Sequence, residues 1–345
     1  MKLGVKITLI VVAVFLLAVI IAISVCAGIA GRINDKTKPI DALSEWLSYI
    51  EDETPLKSIA IPGSHDSGSE NMIWFSKTQS RDIADQLACG TRYFDVRVKM
   101  KKGECRIYHG PAYGLYLKDV LRDVRDFLIA NPSETVILDV HKFGNGEAKA
   151  KTAELLDEYL LDMFVEKADG QSDLEFVENL TLGEVRGKCM LVWGEEDEYA
   201  SDNRYFVRND DHGDVNVGCL QSFYTKNWNW YYSSEKYIEK AIPAYIEMYK
   251  NSRGGLFVLQ GQLTDGALII GPRYREGCHE KNMNDCVVSL ADDENLQYIN
   301  IVMRDYISPI KNCYTLTLNV AKGVVKDECS DDYARMIADV VNGYA

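Results

Sequence analysis

Beyond an apolar N-terminal run, short apolar and β-branched stretches alternate with amphipathic ones along most of this chain. That alternation is the pattern of parallel strands joined by helices. Strands are predicted near 56–61, 91–98, 105–108, 136–140, 189–193, 217–221, 256–260 and 300–303. Helices are predicted at 117–130, where Val120, Leu121, Val124, Phe127 and Leu128 recur at helical spacing, and at 147–164, 235–250, 292–298 and 331–342. Asn131-Pro132 stops the first of these helices. Eight strands interleaved with helices is the count of a closed α/β barrel.

The segment from Ile7 to Gly31 carries no charge and is long enough to cross a bilayer. Lys2 and Lys6 precede it while Arg32, Lys36 and Lys38 follow, so charge bias does not set its orientation. The alternative is a signal peptide cleaved after Ala30, where Gly28 and Ala30 supply small residues, although such apolar regions usually run only ~7–15 residues. A lipid-anchored Cys26 fits less well, because Val25 is bulky where a small residue is expected. Each reading exports the remainder, to an extracellular face or as a secreted protein. Residues 1–31 are expected to be anchor or signal peptide, and 32–345 one α/β catalytic barrel acting as a monomer.

Eight cysteines outside the apolar run suit disulfides, with buried thiols as the alternative. None has zinc-ligand spacing. The formal net charge of −14 argues against nucleic acid and against electrostatic adhesion to anionic lipid. A membrane tether would compensate for that repulsion.

Polar residues fall at the C-terminal ends of the predicted strands, the active face of a barrel: His65 and Asp66, Asp95 and Arg97, His109, Asp139 and His141, and Asp305. His65 sits in Ile61-Pro62-Gly63-Ser64-His65-Asp66-Ser67-Gly68, an irregular turn of the kind that presents side chains to ligands. Asp95 and Arg97, two apart on a strand, project to one face. Singly, each has a duller explanation as a structural histidine or ion pair. His212 and His279 read as solvated loop and charged-stretch residues.

Taken together, these segments resemble the phosphatidylinositol-specific phospholipase C catalytic domain, and in particular its bacterial, metal-independent branch. The carriers are 58–68, then Thr91-Arg92-Tyr93-Phe94-Asp95-Val96-Arg97, Tyr108-His109-Gly110-Pro111, Asn131-Pro132-Ser133-Glu134-Thr135 and Met303-Arg304-Asp305-Tyr306. The resemblance implies a distorted TIM-type (β/α)8 barrel. His65 matches the general base, His109 the general acid, Arg97 the phosphate-binding arginine, Asp66 its neighbouring carboxylate and Asp305 the carboxylate orienting the base. Asp95 matches a further site acid. Calcium-dependent relatives carry an amide and an acid where Asp66 and Arg97 stand, so no metal or other cofactor is expected.

Head-group positions depart from the family pattern. His141 aligns with a pocket lysine, Gly194 falls near a pocket arginine with Glu195, Glu196 and Asp197 following, and Ser222 aligns with an aspartate. Tyr224 matches the tyrosine on which the inositol ring stacks. The substrate is therefore expected to be a phosphoinositide or related glycolipid. Met72-Ile73-Trp74-Phe75 and the cluster Trp228, Trp230, Tyr231 and Tyr232 are expected either to pack in the core or to meet lipid, with Trp74 and Phe75 the favoured interfacial residues. Two rivals are a metal-dependent lipid or glycerol phosphodiesterase on the same barrel and a surface binding protein without turnover.

Overall fold

A computed structural model describes residues 3–35, 41–194, 197–209, 218–224, 232–263 and 271–343. Its strands are β1 (Ile61–Ser64), β2 (Tyr93–Lys101), β3 (Glu104–His109), β4 (Ala112–Tyr116), β5 (Val136–Phe143), β6 (Cys189–Trp193), β7 (Tyr205–Val207), β8 (Leu220–Gln221), β9 (Leu256–Gln260) and β10 (Ile301–Arg304). They pair in the order β7-β6-β5-β2-β1-β10-β9-β8, each step parallel. A parallel bridge between Arg208 and Leu220 links the two free edges. Asn209 N–H donates to the Leu220 carbonyl at 2.9 Å and Cys219 N–H to that of Val207 at 2.8 Å. Eight parallel strands thus form a nearly closed barrel, as expected.

The membership of that ring differs from the expectation in one strand. β3 pairs antiparallel with β2 and β4, a hairpin extending from the barrel wall. The eighth place belongs to β7, too short to stand out as an apolar run. The strand expected at 56–61 begins only at Ile61, after a 3₁₀ turn at Leu56–Ser58.

Helices α1 (Leu3–Ala30), α2 (Ile83–Ala88), α3 (Leu117–Ala130), α4 (Gly146–Leu160), α5 (Asp173–Asn179), α6 (Leu182–Val185), α7 (Ser234–Lys250), α8 (Gly271–Ser289), α9 (Pro309–Ala321) and α10 (Ser330–Gly343) complete the described residues. α3 buries Val120, Leu121, Val124 and Leu128 of the stripe read from spacing, together with Leu117, and leaves Phe127 half-buried. The helix expected at 292–298 is instead two 3₁₀ turns, Leu290–Asp292 and Leu296–Tyr298. The neighbouring long helix is α8, whose buried face includes Glu276, His279, Glu280 and Asn284 and so shows no apolar stripe.

Strand alternation divides the core. Phe94, Val96, Leu138, Val140, Leu191 and Trp193 pack with α3 and α4 residues in one cluster, while Tyr93, Ile137, Val192, Phe206, Val258, Ile301 and Met303 share another. The second row points inward, and on several strands it turns polar toward the C-terminal end: Asp95, Asp139, Arg208, Ser222, Gln260. Apolar inward positions fill the barrel, and polar ones open its mouth to chemistry.

Arg92 and Glu134, both within segments that carried the resemblance, form a wholly buried pair at 2.7 Å. Arg92 also donates to the carbonyls of Leu87, Thr91, Leu43 and Ser44. Such a satisfied network is structural, and removing one partner of a buried pair costs about 3–5 kcal/mol.

All nine cysteines are free thiols, contrary to the disulfide expectation. Cys105 and Cys189 belong to the cluster under α3 and α4, whereas Cys219 and Cys313 belong to the inward one. Burial makes them small apolar side chains, with the Cys89 and Cys313 thiols pushed up to about 12. The cysteine count therefore lends no support to export.

Candidate active site

The C-terminal ends of β1, β2, β3, β5 and β10 bring the expected chemistry together. β1 delivers His65 and Asp66, and the backbone turns there into the left-handed region, φ 43° at Asp66. For a non-glycine residue that conformation needs support. Asp66 N–H donates to Asp95 Oδ2 at 3.1 Å, and Ser67 N–H to the Asp95 carbonyl at 3.0 Å. On the adjacent strand, just beyond β10, Tyr306 adopts φ 48° directly after Asp305, with its N–H on the Thr78 carbonyl at 2.7 Å.

His65 Nδ1 lies 2.7 Å from Asp305 Oδ1. Its other nitrogen, Nε2, faces Arg97 Nη2 at 3.2 Å and Asp66 Oδ2 at 3.5 Å. Arg97 spans two carboxylates, with Nη1 at 2.9 Å from Asp66 Oδ1 and Nη2 at 2.9 Å from Asp95 Oδ2. His109, at the end of β3, places Nδ1 3.1 Å from Asp66 Oδ2 and 3.1 Å from the Ser76 carbonyl. The two imidazoles thus converge on one carboxylate oxygen.

Charge follows from this packing. Burial disfavours a charged His65 ring, but the Asp66 and Asp305 carboxylates outweigh it and raise its pKa to about 9. Burial likewise opposes ionised Asp66 and Asp95, yet Arg97 and the neighbouring histidines hold both below the usual carboxylate range. Burial pushes Asp305 upward, against the pull of His65.

His65, Asp66 and Asp95 offer ligand atoms close enough together to hold a cation. The Arg97 guanidinium already contacts the same three side chains. A divalent ion there would meet a permanent positive charge at ion-pair distance, so the set does not fit a metal.

A cleft of about 210 Å³ opens on this cluster, lined by His65, Asp95, Arg97, His109, His141, Ser222 and Tyr224 as expected, and also by Tyr93, Lys142, Arg208, Gln260 and Gln262. The sequence reading missed both cations. β5 pairs Val96 with Val140 and then Arg97 with Lys142, so His141 is bulged out of register and two successive residues reach the cleft. His141 Nδ1 stands 3.2 Å from Asp95 Oδ1. Arg208, just beyond β7, pairs with Asp139 at 3.2 Å, and Tyr93 donates its hydroxyl to the same carboxylate at 2.6 Å. Ser222 accepts from Gln260 Nε2 at 2.8 Å.

Ile73 and Trp74 are exposed, 49% and 56%, and Phe75 is half-buried against Trp74 at 5.6 Å between ring centres. Met72 is buried. His279 is wholly buried between Ser234 Oγ and the Gly261 carbonyl, with burial lowering its pKa to about 4. Lys36, Lys38, Glu195, Glu196, His212, Trp228, Trp230 and Tyr231 lie outside the described residues.

Residues 53–194 match the family model described as phosphatidylinositol-specific phospholipase C, X domain. A 1-phosphatidylinositol phosphodiesterase of Listeria monocytogenes is 32% identical over 180 residues, which cover 48% of this chain and 54% of the relative. One of Staphylococcus aureus is 30% identical over 165 residues, 44% of this chain and 52% of the relative. The chain thus spans about half the length of the curated relatives it matches. The solved structure of the phosphatidylinositol-specific phospholipase C from Listeria monocytogenes superposes with a TM-score of 0.64 at 23% identity, covering 80% of this chain and 98% of that one, a likeness of fold. β1, β2 and the His65, Arg97 and His109 positions all lie inside the segment that matches the phosphatidylinositol-specific phospholipase C X-domain model.

Proposed function

We propose that this chain is a metal-independent phosphodiesterase that cleaves phosphatidylinositol, or a related glycolipid, between the glycerol oxygen and phosphorus. The observation that carries the reading is the pair of imidazoles on Asp66 Oδ2, at 3.5 Å for His65 Nε2 and 3.1 Å for His109 Nδ1, with Arg97 beside them. Two histidines facing one anion-binding point suit attack and departure at a single phosphorus.

In this mechanism Asp305 holds the proton on His65 Nδ1, leaving the Nε2 lone pair for the reaction. The inositol 2-hydroxyl gives its proton to Nε2 as its oxygen bonds to phosphorus. The bond from phosphorus to the glycerol oxygen breaks, the electron pair stays on that oxygen, and His109 protonates it. Diacylglycerol leaves, and inositol cyclic 1,2-phosphate remains. Each proton transfer is worth ~10²–10⁴-fold. Arg97 binds the phosphoryl oxygens through its planar fork, and the substrate's own nucleophile spares the entropy of recruiting one.

Tyr224, Lys142, Arg208, Gln260 and Gln262 support a polyol head group, offering one aromatic face and a rim of hydrogen-bonding side chains. Membrane attachment through α1, with the barrel beyond the cytoplasmic membrane, belongs to the same reading. The test is phosphorus NMR of products formed by the full chain from phosphatidylinositol in EDTA. A cyclic phosphate resonance is the expected result. Loss of turnover in EDTA with recovery in calcium would favour the metal-dependent rival, and no turnover in either would favour a binding protein.

A further inference from the structure

The end of α1 is built into the barrel. Val11–Ala30 has a mean hydropathy of 3.0 and no residue buried. Near its C-terminal end, however, Cys26, Ile29 and Ala30 are half-buried, the i, i+3, i+4 positions of one face. The partner is α8 at Gly277, where an added Cβ would run into the Ile29 carbonyl oxygen. Beyond the helix Ile33 and Asp35 are buried, and Asn34 N–H donates to Glu280 Oε2 at 3.2 Å. Arg273 grips the Asp35 carboxylate at 2.5 and 2.9 Å, Ser80 donates to it, and Arg81 donates to the Asp35 carbonyl at 3.0 Å.

The direction of α1 follows from the same contacts. Ile29 lies at Gly277, while Cys26 lies within electrostatic reach of Tyr274, one turn nearer the start of α8. The apolar helix therefore leaves past the N-terminus of α8. That N-terminus is at the barrel mouth, since α8 follows β9. There Gly271 is packed on Trp74, with an added Cβ 2.9 Å from its ring. Six helical residues, about 9 Å, separate the Trp74 and Ile29 contacts. Trp74 is in turn two residues from Ser76, whose carbonyl holds His109.

We infer that the 29–35 clasp fixes the barrel on its own anchor so that Ile73 and Trp74 enter the bilayer that α1 spans, and the site faces that leaflet. The occupant of this exposed apolar rim is the lipid surface. Tryptophan favours that interface, and a chain of net charge −14 has no electrostatic means of finding it. The consequence that lipid is taken from the anchor's own membrane rests on the proposed function.

The test reconstitutes the full chain in phosphatidylcholine vesicles with brominated acyl chains and reads the fluorescence lost on Trp74→Phe. At least twofold quenching of that Trp74 signal is expected. It should fall by half or more in Asp35→Asn/Arg273→Ala and, independently, in Gly277→Leu. An unquenched Trp74, equal quenching in both loosened forms, or a mature N-terminus at Gly31 would overturn the inference. Turnover of a water-soluble inositol phosphodiester is measured in parallel and should be unchanged in the loosened forms. Its absence from the parent would refute the proposed activity while the quenching still decides orientation.

Discussion

Asp305 Oδ1 lies 2.7 Å from Nδ1 of His65, and both groups are buried. The carboxylate is itself braced, because its main-chain carbonyl accepts from Lys311 Nζ at 2.8 Å, and Lys311 pairs with Glu276 at 2.6 Å in a wholly buried network. An amide at 305 can present its NH₂ to Nδ1, which moves the ring proton to Nε2 and removes the acceptor. Asp305→Asn is therefore expected to lower kcat by ~10²–10⁴-fold with KM little changed. A cooperative unfolding transition well above the assay temperature would separate this from unfolding, and near-normal kcat would remove Asp305 from the mechanism.

His109 is assigned the return of a proton to the leaving oxygen, and that role has a chemical signature. An alkoxide leaves poorly without a proton, whereas nitrophenolate needs none. His109→Ala should cost ~10²–10⁴-fold on phosphatidylinositol but less than about tenfold on an inositol nitrophenyl phosphodiester. Equal losses on both substrates would mean that His109 positions or binds rather than protonates.

The environment of His65 sets a pH dependence. Its pKa is raised from 6.5 to about 9, and only the neutral ring accepts a proton. kcat/KM on an inositol nitrophenyl phosphodiester, whose leaving group needs no proton from His109, is expected to climb with pH from 6.5 toward about 9, and a flat profile over that window would contradict the assignment. Stability runs the other way. A group whose folded pKa is raised contributes fully below its unfolded value and loses the contribution as pH passes the folded one. For His65 this amounts to about 3 kcal/mol, present below pH 6.5 and gone above about 9. Urea unfolding across that range measures it.

The barrel and the central cluster were legible in the sequence because both rest on period-two alternation and on polar residues ending apolar strands. His65, Asp66, Asp95, Arg97, His109 and Asp305 needed only that pattern and the order of motifs. The rim was not legible, for three physical reasons. A bulge at His141 shifts register by one residue, so Lys142 reaches a cleft that strict alternation denies it. β7 is three residues long and reads as loop, which hid Arg208. α8 buries charged residues in ion pairs rather than an apolar stripe, so periodicity passed over the helix that clasps α1. The cysteines misled because an even count says nothing of where thiols sit.

Arg208 restores a cation that the linear alignment at Gly194 had removed. It lines the cleft beside Tyr224 and pairs with buried Asp139, whose carboxylate it and His141 hold low against the cost of burial. A guanidinium already oriented by a carboxylate is well placed to donate to ring hydroxyls, and those contacts are the same before and during reaction. Their loss should therefore weaken binding more than chemistry. Arg208→Ala is expected to raise KM for phosphatidylinositol about tenfold with kcat within about threefold of the parent, and Arg208→Lys should recover part of the binding. Asp139 keeps the Tyr93 hydroxyl in either variant but loses a buried ion-pair partner in Arg208→Ala, so the melting temperature should fall further there than in Arg208→Lys, and the constants are read well below the unfolding transition. A fall in kcat at unchanged KM would instead tie Arg208 to the transition state, and no effect on either constant would exclude it from the head-group site.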